Sequence, residues 1–213
     1  MIRGVLFDND GTLVDTYNLL LTSYRYATKQ VLSKDFSDEK LMAGVGTPLE
    51  VQACSFTDDP AVQEELVRVY REYNHAIHDD VVKAFPGMLE TLAHLHAAGV
   101  KLGVVTAKRH ALAWRGLEIV GAVPYLEGLI GPDDCPVSKP DPTSVLMGAE
   151  MLGLAPEECL YVGDSPFDIQ AGNAAGCPTV AVTWGMFDED VLRAEKPTYV
   201  INTFEELEAL CMP

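Results

Sequence analysis

Six short apolar runs, each followed by a segment long enough to form a helix, constrain this chain more than any other feature. They are Ile2 to Phe7, Lys101 to Val105, Gly128 to Ile130, Leu160 to Val162, Thr179 to Val182 and Tyr199 to Ile201. Within them apolar residues do not alternate with polar ones, so the runs read as strands buried on both faces. That pattern predicts an α/β fold, a Rossmann-like parallel sheet with helices on both faces. The alternation breaks once. Between residues 16 and 83 there is no convincing buried strand, whereas Tyr17 to Leu32 and Ala61 to His78 carry apolar residues at helical spacing. An all-helical domain inserted at 16–83 is therefore expected, with the sheet core built from 1–15 and 84–213. Phe85-Pro86-Gly87 marks the return to the core and precedes a helix-like segment from Met88 to Ala98. The sequence holds no internal repeat and no low-complexity tract.

Charge narrows the partners. Fifteen basic residues against 32 acidic ones leave a formal net charge of −17, which argues against nucleic acid and against anionic membranes, both bound chiefly through clustered Lys and Arg. Seven basic and eleven acidic residues between 16 and 83 give −4, so the remaining −13 lies on the predicted sheet core. At 48% hydrophobic residues the chain can bury a core, and disorder does not explain its acidity. Met1-Ile2-Arg3-Gly4 reaches the acids at Asp8 too soon for a secretory signal, and no apolar run is long enough to span a membrane. The five cysteines are scattered, without a C-x-x-C pair, and read as reduced thiols of a cytoplasmic protein.

Four places carry potential chemistry, three of them just after predicted strands. In an open parallel sheet the carboxyl ends of the strands share one edge, where ligands bind. Asp8-Asn9-Asp10-Gly11-Thr12 sets two carboxylates two positions apart on a turn that Gly11 permits. Alone, such acids are commonly loop or capping residues. Val104-Val105-Thr106-Ala107-Lys108 delivers a hydroxyl and main-chain N–H groups suited to phosphate oxygens. Ser138-Lys139-Pro140-Asp141-Pro142 holds one lysine between stiffening prolines, where its ammonium could neutralise phosphate charge. Val162-Gly163-Asp164-Ser165-Pro166-Phe167-Asp168 offers Asp164 as a ligand for a hard cation and Asp168 as support for the lysine or for a metal-bound water.

In order and spacing the set resembles the haloacid dehalogenase superfamily of phosphotransferases over nearly the whole chain. Asp8 and Asp10 match its first motif, Thr106 its second, Lys139 its third, and Asp164 with Asp168 its fourth. The insert resembles the helical cap that follows the first strand in phosphoglycolate phosphatases, related pyrophosphatases and β-phosphoglucomutases. The resemblance implies that Asp8 is a nucleophile forming an aspartyl-phosphate and that Asp10 is the general acid and base. It implies Mg²⁺ held by the Asp8 carboxylate, the Asp10 carbonyl and Asp164, with transferring oxygens held by Thr106, the Ala107 N–H and Lys139. Asp10 favours phosphoryl transfer over attack on carbon, and Thr12 is more like the phosphatases than the mutases. Asn9 and Ala107 depart from the pattern: Asn9 should point away from phosphate, and Ala107 supplies its N–H but no side-chain contact.

Gly44-Val45-Gly46-Thr47-Pro48 resembles the cap loop that closes over the leaving group, which makes Gly46 a candidate substrate contact. Arg25, Lys108 and Arg109 are candidate contacts for an anionic leaving group. Met42, Tyr17, Tyr24 and Tyr26 are expected to pack, and His75, His78, His94, His96 and His110 to lie on helix surfaces without forming a metal set. The expected activity is hydrolysis of a small phosphorylated metabolite, phosphoglycolate first, by a monomer or weak homodimer. Pyrophosphate hydrolysis, sugar-phosphate mutase activity and a non-catalytic phospho-ligand module are the alternatives.

Overall fold

All four residues of β1 (Gly4–Phe7) are buried, and the computed structural model, which describes residues 2–212, sets this strand at the centre of a six-stranded sheet. The chain then makes β2 (Val14–Asp15) and four helices, α1 (Tyr17–Leu32), α2 (Asp38–Met42), α3 (Leu49–Ala53) and α4 (Pro60–Val81). It returns through β3 (Lys83–Ala84), which pairs antiparallel with β2. After α5 (Met88–Ala97) comes β4 (Lys101–Val105), and after α6 (His110–Ile119) comes β5 (Leu129–Ile130). Next are α7 (Thr143–Leu152), β6 (Cys159–Gly163), α8 (Pro166–Ala175) and β7 (Thr179–Val182). The chain closes with α9 (Glu189–Ala194), β8 (Tyr199–Ile201) and α10 (Phe204–Cys211).

The large sheet runs β5-β4-β1-β6-β7-β8 with every neighbouring pair parallel. The six apolar runs of the sequence are its six strands, and the fold is α/β. The β2–β3 ladder at the base of the helical insert was not legible, because two-residue strands carry no periodicity.

Alternate side chains of the strands feed two cores. Val5 and Phe7 join Val104, Val162 and Val180 beneath Leu92 and Leu95 of α5 and Phe204 of α10. Leu6 joins Val105 and Tyr161 on the opposite face, against Val145 and Ala149 of α7. Each fully buried Leu or Phe contributes about 1.5–3 kcal/mol. α7 sits close enough to the sheet that a Cβ on Gly148 would come within 2.7 Å of Val105 Cγ2. The insert has a core of its own, built around Leu21, Tyr24, Leu41, Leu66 and Tyr70. Connections leave β1 towards β4 on one side and reach β6 on the other, so the strand order reverses there. A crevice opens at the carboxyl ends of those three strands.

Candidate active site

Register sets the floor of the crevice. Phe7 pairs with Val104 on one side and Val162 on the other, so the residues that follow, Asp8, Thr106 and Asp164, emerge side by side. Asp8 N donates to Val162 O at 2.8 Å. Beyond Asp8 the chain turns back on Asn9, whose carbonyl accepts from Leu13 N at 3.1 Å and Val14 N at 2.9 Å. Gly11 adopts φ 87° in that turn, and a Cβ there would collide with the Asp164 carboxylate.

Lys139 reaches the floor from the loop before α7. Its Nζ lies 2.8 Å from Asp8 Oδ1 and 2.5 Å from Asp168 Oδ1, and all three residues are buried. Asp168 is held elsewhere too: its Oδ2 accepts from Ser165 N at 3.1 Å and Ser165 Oγ at 2.5 Å, and the Tyr161 hydroxyl stands 3.2 Å from Oδ1. Asp164 accepts from Thr12 Oγ1 at 3.1 Å and from Met186 N at 2.7 Å. Trp184 Nε1, donating to Thr12 O at 3.1 Å, ties the same loop to the turn.

The buried charges do not balance. Among the described residues Asp8, Asp164 and Asp168 form a group whose ligand oxygens all lie within 4.8 Å of one another, with the Lys139 ammonium as their buried counter-charge. Burial, together with the charges of Asp168 and Asp10, lifts Asp8 to about 7 despite Lys139. Burial and the charges of Asp8 and Asp168 push Asp164 well above the usual carboxylate range. Burial works against the Lys139 ammonium, but Asp168 and Asp8 outweigh it and keep the lysine firmly protonated. Burial also acts to raise Asp10; its ion pair with Lys108, 2.7 Å from Nζ to Oδ1, prevails and holds this carboxyl low. Crowded carboxylates short of positive charge are a donor set that fits a hard divalent cation. Asp168 is already saturated by Lys139 and Ser165, which leaves Asp8 and Asp164 as the side chains free to bind one.

Above the floor lies a cavity of about 310 Å³, roofed by the helical insert and lined by Asp8, Asp10, Thr106, Ala107, Asp164 and Gly46, among others. Lys139 and Asp168 lie beneath it. Thr106 Oγ1 accepts from Lys108 N at 3.1 Å, so its own proton remains free to be donated. Gly46 (φ 95°) brings the roof down to the start of α8, where a Cβ would meet Ser165 and Phe167 at 3.1 Å. Lys108 and Arg109 both line the cavity. Arg25 does not. It pairs with Asp38 on the exposed side of the insert, because its helix turns that face to solvent.

One further expectation is corrected. His78 is buried rather than on a surface: its Nδ1 lies 2.9 Å from Asp79 Oδ1, and its ring packs against Gly116 of α6. Tyr24 packs in the insert's core as expected, yet it also borders the cavity. Asn9 is buried and does not line the cavity. Sequence reasoning missed Tyr161, Ser165, Trp184 and Met186 on the floor and Gln52 and Asn74 on the roof. Ser165 had a signal, since Ser-Pro-x-Asp opens a helix as a capping box; the others belong to no motif.

The chain resembles known proteins in sequence and in fold. A family model described as haloacid dehalogenase-like hydrolase matches residues 5–182. A protein of Caldanaerobacter subterraneus, provisionally named pyrophosphatase PpaX, is 38% identical over 97% of this chain and 93% of its own. Pyrophosphatase PpaX of Bacillus pumilus is 32% identical over 98% of this chain and 96% of its own. The crystal structure of a Haemophilus somnus protein described as a predicted phosphoglycolate phosphatase superposes with a TM-score of 0.91 at 26% identity, covering 98% of this chain and 97% of that one.

Proposed function

The chain belongs to the haloacid dehalogenase-like hydrolase family, and on that premise we propose that it is a Mg²⁺-dependent phosphohydrolase acting through an aspartyl-phosphate on Asp8, with inorganic pyrophosphate as its preferred substrate. The observation that carries the reading is the grip of Lys139 on Asp8 Oδ1 at the cavity floor. It fixes the carboxylate while leaving Oδ2 available to attack phosphorus.

The residues divide the work as follows. Asp8 Oδ2 displaces the leaving group and becomes phosphorylated, which splits one difficult displacement into two easier ones. The Thr106 hydroxyl and the Ala107 N–H, which line the cavity, hold the transferring oxygens, and the Lys139 ammonium supplies positive charge from beneath through its contact with Asp8, where charge stabilisation counts most. The distal phosphate of pyrophosphate departs as an anion that needs no proton; Asp10, held ionised by Lys108, then takes a proton from the water that attacks the aspartyl-phosphate, so inorganic phosphate leaves and Asp8 is restored. Lys108 keeps the Asp10 carboxylate in place. Asp168 acts on Lys139, and Thr12 and Met186 N aim Asp164. Asp8, Asp164 and the Asp10 carbonyl would hold Mg²⁺, which when bound supplies Lewis-acid charge neutralisation between nucleophile and phosphate.

Pyrophosphate takes precedence over phosphoglycolate, reversing the order expected from sequence, for two reasons. The relatives carrying the name pyrophosphatase cover almost the whole chain, and Arg109 adds to the cavity lining a cation that a second phosphoryl group could use. Membership of a hydrolase family removes the non-catalytic alternative. Free thiols at all five cysteines support a reducing, cytoplasmic setting, and among the described residues no helix is long and apolar enough to cross a membrane.

The test is phosphate release from pyrophosphate, phosphoglycolate, a sugar phosphate and a nucleotide, with Mg²⁺ and with chelator, beside Asp8→Asn. We expect the highest kcat/KM for pyrophosphate, loss on chelation, and a fall on the order of 10³-fold or more in Asp8→Asn. Preference for phosphoglycolate would overturn the substrate; activity surviving in Asp8→Asn would overturn the nucleophile.

A further inference from the structure

The loop after β7 reaches both halves of the molecule. Its Met186 N–H donates to Asp164 Oδ2 at 2.7 Å, and Gly185 lies so near that a Cβ there would come within 2.1 Å of Asp164 Cβ. Only glycine lets the loop press on this carboxylate so closely. Thr12 Oγ1 holds the other oxygen, Oδ1, at 3.1 Å. The neighbours of this pair anchor in the sheet core: Trp184 rests on Phe204 with ring centroids 4.7 Å apart, and Phe187 packs beside Ile169, Ala181 and Leu192. Met186 does not follow them. Its half-buried side chain packs against the core of the helical insert, around Leu21, Tyr24 and Tyr70, and among the described residues it is the one apolar residue in that cluster from outside the insert. A single residue thus sets its main chain on the floor and its side chain in the roof. The chain enters and leaves the insert through the two-residue β2–β3 ladder, so packed contacts of this kind decide how the insert sits on the sheet.

We propose that Met186 is a positioning residue that couples the seating of the helical insert to cation binding at Asp164: the insert's core grips the side chain, and the gripped side chain keeps the N–H directed at Oδ2. This rests on the reading of Asp164 as a ligand for Mg²⁺. An N–H donated to a metal-binding carboxylate fixes which of its lone pairs face the cation. Methionine suits the position, because its unbranched thioether fills an irregular gap between two separately packed bodies. Coupling of this kind is reciprocal. A seated insert tightens the hold on the cation, and a bound cation favours the seated insert, so the metal and the roof over the reacting phosphate arrive together.

The test compares Met186→Ala, which keeps the N–H and removes the side chain, with Met186→Leu, which restores an apolar side chain of similar volume. Mg²⁺ is titrated calorimetrically into the metal-free form of each, of the unsubstituted protein and of Asp164→Asn, and amide hydrogen exchange in the 44–53 segment of the roof is followed with and without Mg²⁺. The expected result is about tenfold weaker Mg²⁺ binding in Met186→Ala and a change within about twofold in Met186→Leu. Mg²⁺ should slow exchange in the roof of the unsubstituted protein and of Met186→Leu, and not in Met186→Ala. Unchanged Mg²⁺ affinity in Met186→Ala overturns the proposal even if Tm falls, because lost packing alone lowers Tm. So does an equal loss in the alanine and leucine variants, or roof exchange that Mg²⁺ affects alike, or not at all, in the unsubstituted protein and Met186→Ala. No Mg²⁺ binding by the unsubstituted protein, or binding undiminished in Asp164→Asn, would instead sink the metal reading and the proposal together.

Discussion

The floor and the roof of the cavity are built on opposite principles. On the floor the charged side chains are held from more than one direction: Asp168 by Lys139 and Ser165, Asp164 by Thr12 and Met186, Lys139 by two carboxylates. On the roof the buried polar groups are neutral, Arg71 and Glu50 pair with each other, and Gln52 keeps a buried oxygen unspent. The floor stands on a sheet whose central strand is wholly buried, whereas the roof rides on helices with a smaller core. Groups that must meet a reacting phosphorus within fractions of an ångström sit on the rigid part.

The contrast is most exposed at Lys139. Lys139→Met leaves Asp8 and Asp168 buried without their counter-charge, so denaturant unfolding of the metal-free protein should show a loss of about 3–5 kcal/mol, together with near-complete loss of turnover. A stability unchanged by that substitution would mean the floor is not held by charge.

Metal and pH sharpen the same point. Asp8 sits at about 7, against the usual 3.8. Between those values the folded protein binds a proton that the unfolded chain has released, so this group's contribution to the stability of the metal-free protein declines as pH rises through that window and is gone above about 7. A cation must displace that proton. The rise in Tm on adding Mg²⁺ should therefore be larger at pH 8 than at pH 6, and an equal rise at both would contradict the assignment.

Thr12→Val removes a donor from Asp164 while keeping the shape of the side chain. Mg²⁺ should bind about 10–100-fold more weakly, read by activation curves, with little change in KM at saturating metal. The smallest effect belongs to the outer face of the roof. Tyr26 stacks on Tyr73 with ring centroids 4.0 Å apart and is 40% exposed. Tyr26→Ala should cost about 0.5–1.5 kcal/mol and leave kcat/KM unchanged.

Much of the floor was legible because Asp8, Thr106 and Asp164 each stand directly after an apolar run, and strand ends are where a parallel sheet collects ligands. Lys139 was marked by its prolines. Tyr161 was not, because a tyrosine inside a buried strand reads as core, and its hydroxyl bond to Asp168 depends on which face of β6 meets α8. Met186 acts through its main-chain N–H, which no residue type signals. Arg25 and His78 were misplaced for one reason: a residue on a helix announces its period, but not which neighbour its face meets. Gln52 in a five-residue helix announced neither.

The sequence by itself determined the α/β class, the six parallel strands, the helical insert and the family, since these follow from apolar periodicity and from short motifs whose spacing is local. Tertiary structure alone decided that three carboxylates crowd within 4.8 Å of one another against one buried ammonium, that Lys108 is committed to Asp10, and that Gln52 Oε1 lies buried in the roof without a partner. Those outcomes depend on distances between segments as much as 152 residues apart, set by how helices pack on a sheet, and packing is a property of the whole chain rather than of any stretch of it.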